Sequence, residues 1–166
     1  MRLKVVVFAA LTSILSSVVA LVPGQVQAQN AGWSRPQQLS APGSPAWFPD
    51  IVADLSGRVH VVWAGGDTEF DQVLYREFDP ATGWSSTNDL AAFPIVRGES
   101  AATRPTLLAD DQLLHITYTN YEGVYYSNAP ILDALAAGAW QDATVVDGAQ
   151  TSYFSRVARD SDGNLH

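Results

Sequence analysis

Apolar and polar positions along Pro49 to Trp63 (PDIVADLSGRVHVVW) form two short apolar runs around a polar break. The runs are Ile51-Val52-Ala53 and Val59 to Trp63, and the break is Asp54-Leu55-Ser56-Gly57. β-Branched runs on either side of Asp and Gly predict a hairpin, because those residues tolerate the positive φ of a tight turn. The pattern returns over Arg104 to Tyr118 (RPTLLADDQLLHITY) and over Ser155 to His166 (SRVARDSDGNLH), with turns at Asp110-Asp111-Gln112 and Asp160-Ser161-Asp162-Gly163. Aligned on His60, His115 and His166, the copies lie 55 and 51 residues apart. A fixed period of this size marks a repeat array.

A third strand is predicted over Val73 to Phe78 and again over Gly123 to Ser127. A fourth begins at a tryptophan, Trp84 to Leu90 and Trp140 to Val146, and one more Trp-led segment, Trp33 to Leu39, precedes the first copy. The tryptophan spacings are 51 and 56, tracking the histidine period independently. Four antiparallel strands per unit predict an all-β fold, a β-propeller of four-stranded blades. The competing reading is a β-sandwich. The expected organisation is a lone outer closing strand at 33–40, a first blade at 47–92, a second at 103–147 and the start of a third at 153–166. That is about two and a half blades, an incomplete ring in a chain expected to be truncated. Ile131 to Ala137 is expected to form two helical turns on the outside, with Asp133 near the start and Gly138 after the end.

Residues 1–28 change the picture of compartment. Arg2 and Lys4 precede the apolar run Val5 to Val22, and Val26-Gln27-Ala28 offers a small-residue cleavage site. This is a secretory signal pattern, leaving 29–166 as the mature chain, secreted, periplasmic or on the cell surface, with no permanent membrane span. A membrane anchor is the alternative, since the run is long enough to span. There is no cysteine, so no disulfide holds the fold. The formal charge of −8 becomes more negative once Arg2 and Lys4 are removed. Such a chain repels phosphate backbones, which argues against nucleic-acid binding.

Several segments together resemble the secreted, bacterial-type sialidase-like (BNR-type) β-propellers. They are Trp33 to Leu39, Pro49-Asp50-Ile51-Val52-Ala53-Asp54, Gly57-Arg58-Val59-His60-Val61-Val62-Trp63 and Val73-Leu74-Tyr75-Arg76, and the resemblance covers Trp33 to His166. The family's Asp-box, Ser-x-Asp-x-Gly-x-Thr-Trp, is matched only loosely by Asp79-Pro80-Ala81-Thr82-Gly83-Trp84, and the second unit has none. The resemblance implies the fold and a glycan-related role. The family's three arginines, Tyr/Glu nucleophile pair and acid Asp have no identifiable counterpart, and Thr103-Arg104-Pro105 is a distant echo of its Phe-Arg-Ile-Pro motif. The catalytic residues are therefore unknown.

In such a meander the approaches to each first strand open beside the central channel. Three are visible: Trp47-Phe48-Pro49-Asp50, Thr103-Arg104-Pro105-Thr106 and Tyr153-Phe154-Ser155-Arg156. Aromatic faces stack on sugars and the planar Arg fork clamps acceptors. The candidate ligand-binding residues are Trp47, Phe48, Asp50, Arg104, Tyr121, Tyr153 and Arg156. The bland alternative is that the aromatics pack between blades. Asp67, Glu69 and Asp71 stand at alternate positions, as in some calcium loops, or form a solvated acidic loop. Calcium is the one cofactor considered. The recurring histidines are expected to be hydrogen-bonded structural groups, since catalytic residues need not recur in each repeat. The expected function is a secreted, sialidase-like propeller binding an extracellular glycan, glycoprotein or other ligand. The alternatives are a sialidase-like glycoside hydrolase with its catalytic residues elsewhere, and a structural platform of a larger surface protein.

Overall fold

The structure is a computed structural model that describes residues 34–66, 70–94, 103–120, 122–148 and 154–166. The signal-like segment 1–28 lies outside the described residues. Residues 37–166 form one compact unit, which holds both sheets of the fold.

The chain is mostly β, arranged as two antiparallel sheets. Sheet one contains β1 (Ala46–Ala53), β2 (Val59–Gly66), β3 (Phe70–Asp79), β4 (Gly83–Trp84) and β5 (Asn88–Pro94). Its order is β1-β2-β3-β4, and β5 also pairs with β3. Sheet two is β6 (Thr106–Ala109), β7 (Leu113–Asn120), β8 (Gly123–Pro130) and β9 (Thr144–Asp147), in the order β6-β7-β8-β9. The third copy contributes a small hairpin, bridged at Arg159 and Leu165. The registers repeat: His60 pairs with Glu77 and Val62 with Tyr75 in sheet one, as His115 pairs with Asn128 and Thr117 with Tyr126 in sheet two.

Successive side chains of a strand point to opposite faces. In sheet one, Val62, Val73 and Tyr75 face sheet two, where Leu114, Ile116, Tyr118 and Ala129 meet them in a single buried cluster. His60 lies two residues from Val62 and shares its face. In sheet two, His115 and Thr117 point the other way, and Ser155 Oγ donates to Thr117 Oγ1 at 2.9 Å. The histidine face of one sheet therefore packs on the back of the next, head to tail. Two sheets facing each other symmetrically would bury equivalent faces instead. Among the described residues the sheets do not close a ring.

Three expectations are corrected. Residues 34–40 form no strand. Gln38, Leu39 and Ser40 line a small cleft with Val61 and Trp63 on the face of sheet one, where no ladder is available, and the Leu39 carbonyl accepts from Arg76 Nη1 at 2.9 Å. The Trp-led fourth strands are broken or late. After Trp84 the ladder is interrupted because Ser85 takes Glu77 with both its backbone and its hydroxyl, and after Trp140 regular pairing waits until Thr144. The helix expected over 131–137 is two separate 3₁₀ turns, Ile131–Asp133 and Ala137–Ala139. So short a segment cannot sustain an α-helix in isolation, and the Ala134 carbonyl is taken by Trp140 Nε1 at 3.0 Å. Ile131 and Ala134 are buried in the inter-sheet cluster, so the segment is part of the core.

Candidate functional site

The three approaches to the first strands converge on one cleft of about 470 Å³, lined by Phe48, Pro49, Asp50, Arg104, Pro105, Thr106, Phe154, Ser155 and Arg156. Its centre is Arg104. The guanidinium lies over the Phe48 ring at 4.7 Å and over the Phe154 ring at 4.0 Å. A guanidinium stacked on aromatic rings is held by their quadrupoles, which fixes where its N–H edge points.

Phe48 reaches the cleft through local distortion. Its φ is +51°, and the β1–β2 register shifts between Trp47 and Asp50. A bulge re-aims a side chain out of the pleat. A left-handed non-glycine residue costs on the order of 1–3 kcal/mol and persists only where its surroundings enforce it. Asp50 crosses to the neighbouring sheet, where its Oδ2 accepts from the Leu107 backbone N–H at 2.9 Å. That bond pins the start of β6 beside β1. Behind the cleft, Thr106 Oγ1 lies 2.8 Å from Thr117 Oγ1, which also receives Ser155. These hydroxyls tie the third approach to sheet two.

Of the sequence candidates, Phe48, Asp50, Arg104 and Arg156 are brought together here. Trp47 is half-exposed and does not line the cleft, because it precedes the bulge and stays in register opposite Ala64. Tyr121 and Tyr153 lie outside the described residues, as do Asp67 and Glu69. Asp71 is buried at the start of β3, on the face it shares with Val73 and Tyr75, rather than in an open acidic loop. Among the described residues no three His, Cys, Asp or Glu side chains converge as a metal site would require. Asn120 is a turn former, its Oδ1 accepting from the Glu122 and Gly123 backbones at 2.7 and 3.2 Å. Phe154 was not singled out from the sequence, yet it covers one face of Arg104. The signal was its position beside Tyr153, in the approach that parallels the one containing Phe48.

The histidines form a second, repeated arrangement. In each copy one oxygen of the turn aspartate caps its own turn and the other meets the histidine. Asp54 Oδ1 accepts from the Ser56 and Arg58 backbones, Asp110 Oδ1 from Gln112 and Leu113, and Asp160 Oδ1 from Asp162 and Asn164. The Nε2 of His60, His115 and His166 lies 3.4, 3.1 and 2.9 Å from the Oδ2 of Asp54, Asp110 and Asp160. On the other side of the ring, Nδ1 of His60 meets Tyr75 Oη, and Nδ1 of His115 meets Tyr126 Oη, both at 2.8 Å. A carboxylate only accepts, so Nε2 carries a proton, and in sheet one the Tyr75 hydroxyl that meets Nδ1 also lies 3.4 Å from Glu77 Oε2, to which it can donate. His60 and Tyr75 are fully buried. Burial pushes the His60 pKa down, against the opposing pull of Asp54 and Glu77. Burial would raise Asp110, but the Gln112 and Leu113 N–H groups and His115 outweigh it and hold the carboxyl at about 2. These histidines are structural ties between a turn and the third strand.

The chain matches no known protein family, no curated protein and no solved structure.

Proposed function

We propose that the protein is a secreted, sialidase-like β-propeller that binds an extracellular ligand, a glycan or a similarly polar molecule with an apolar face, in the Phe48–Arg104–Phe154 cleft. The observation that carries this reading is the arginine clamped between two phenyl rings, at a cleft where the three first-strand approaches converge. Phe48 and Phe154 keep 43% and 77% of their surface open, which leaves ring area for a ligand to stack on.

The propeller architecture rests on the head-to-tail stacking. A heterologous contact of this kind generates a ring when its rotation closes.

Binding is favoured over hydrolysis. A glycoside hydrolase of the usual kind needs two carboxylates flanking the bond. Among the described lining residues Asp50 is the one carboxylate, and its Oδ2 holds Leu107.

The test is a glycan-array and calorimetric binding screen of the secreted chain. Arg104→Ala and Phe154→Ala should each weaken a captured ligand at least about tenfold, while Trp47→Ala, outside the cleft, should not. Binding that survives both cleft substitutions overturns the assignment.

A further inference from the structure

The Asp54–Gly57 and Asp110–Gln112 turns lie at the other end of β1 and β6 from the Phe48–Arg104–Phe154 cleft. Between these turns and the first 3₁₀ turn is a second cleft, of about 470 Å³, with Leu55 and Leu132 on its walls. Both leucines are open to solvent, at 85% and 79%. Their neighbours supply the core instead. Ile131 and Ala134, three residues apart, share the buried face of their segment, and the Ile131 N–H donates to the Gln112 carbonyl at 2.9 Å. That anchoring leaves Leu132 on the outer side. Leu55 follows the turn aspartate, where the other two copies carry Asp111 and Ser161. Tight turns are made by polar and small residues, so the turn itself does not call for a leucine there.

The rim of this cleft is acidic. Asp54, Asp111 and Asp133 line it, and no Lys or Arg does. Asp54 is committed, one oxygen to its turn and the other to His60. Asp111 and Asp133 form no ion pair among the described residues. Apolar walls between uncompensated carboxylates select an apolar side chain with cations on either side of it. A second copy of this chain, with its formal charge of −8, would bring like charge to the rim, and an anionic lipid surface would be repelled. The walls come from two complete hairpins, β1–β2 and β6–β7, and from the segment that follows β8.

We propose that this cleft is a docking site for a basic segment of a partner polypeptide. One leucine-like side chain of the partner enters between Leu55 and Leu132, and flanking Lys or Arg residues pair with Asp111 and Asp133. Burial of apolar surface supplies the affinity, and the rim charges set orientation and the rate of encounter. No residue lines both this cleft and the Phe48–Arg104–Phe154 cleft, so the two occupants do not compete for side chains.

The probe is the end-blocked peptide Lys-Lys-Leu-Leu-Lys-Lys, titrated into the full, methyl-labelled chain while the Leu55 and Leu132 methyl signals are followed by NMR. Saturable shifts of both are expected. Leu55→Ser, at an exposed turn, should weaken binding about tenfold through the lost apolar contact. Asp111→Asn combined with Asp133→Asn should weaken it about fivefold in low salt, and about 0.5 M salt should erase that difference. Arg104→Ala, in the other cleft, should leave peptide binding unchanged. No saturable shift with the basic peptide overturns the proposal, as does equal binding of Glu-Glu-Leu-Leu-Glu-Glu or of Lys-Lys-Ser-Ser-Lys-Lys. It is also overturned if the same methyl signals shift with protein concentration alone, which marks self-association, or on adding phosphatidylcholine vesicles, which marks a lipid surface.

Discussion

The two sheets carry the same aspartate–histidine–tyrosine tie, set in different surroundings. In sheet one the third-strand residue beside the tie is Glu77, and Arg58 Nε lies 3.7 Å from its Oε1 and 3.2 Å from Asp79 Oδ2. In sheet two the corresponding positions are Leu113, Asn128 and Pro130. All three members of the ionic group are replaced together by neutral residues, and Asn128 Nδ2 donates to Tyr126 Oη at 3.3 Å. A buried carboxylate needs a partner, and removing the partner alone would strand it. The sheets also differ in what covers them. Tyr75 of sheet one's tie packs in one cluster with Leu107, Leu114 and Ile116 of sheet two, whereas among the described residues sheet two's tie is met by the short third hairpin, with Ser155 on Thr117 and Arg159 beside Asp110. The tie is thus a local device, while its contribution depends on what stacks upon it.

The largest test of that difference is Tyr75→Ala. Tyr75 is fully buried and meets the edge of Trp140 at 5.9 Å, so its removal leaves an inter-sheet cavity. A loss of about 3–5 kcal/mol is expected in urea unfolding, against roughly half of that for Tyr126→Ala. Equal losses would mean that stacking does not set the contribution.

Asp54→Ala comes next. It removes two turn hydrogen bonds and the partner of a buried imidazole, for about 2–3 kcal/mol. Ser56→Ala, in the same turn, should cost well under half as much, since the backbone bonds to Asp54 remain.

Acid should then separate the two windows. His60 is depressed in the folded state, so the unfolded chain takes up its proton first. Stability from this site is complete above pH 6.5 and falls as pH drops below it, until His60 itself protonates among Asp54, Glu77, Tyr75 and Arg58. Asp110 contributes stability above its ordinary value of 3.8, and this is lost as pH falls towards about 2. His60→Gln should flatten the upper part of the stability–pH curve and leave the lower part unchanged. A curve that is flat from pH 7 to 5 in the native chain would contradict the buried neutral imidazole.

The smallest effect expected is from the turn. Gly57 has φ +83°, with open space where a Cβ would stand, so Gly57→Ala carries only the backbone cost, about 1 kcal/mol. The second copy's turn is one residue shorter between aspartate and histidine and has no glycine, so Gln112→Gly should bring no comparable gain. Thermal unfolding of both variants checks this.

Much of the strand pattern was legible because it is local. The hairpin at Ile51 to Trp63 and its copy at Thr106 to Tyr118 follow from β-branched runs broken by Asp and Gly. The ties were only half legible. Recurring histidines and recurring turn aspartates were each visible, but the tyrosine that completes each tie lies 15 residues from His60 and 11 from His115. Nothing in composition links them until the ladder fixes the diagonal contact. The fourth strand of sheet one starts as expected, with Trp84 paired to Phe78, but it breaks because Ser85 captures Glu77 through a hydroxyl that periodicity does not register, and the fourth strand of sheet two begins late, at Thr144.

What this chain's sequence determined alone is the alternation of short strands and capped turns, since φ preferences and side-chain-to-backbone bonds act within a few residues. Tertiary structure decided which aromatics meet Arg104. Trp47 and Phe48 are adjacent in sequence, and a bulge sends only Phe48 to the cleft. It also decided which histidine face is sealed, because burial depends on a second sheet arriving from about 50 residues away, and local preference does not encode that arrival.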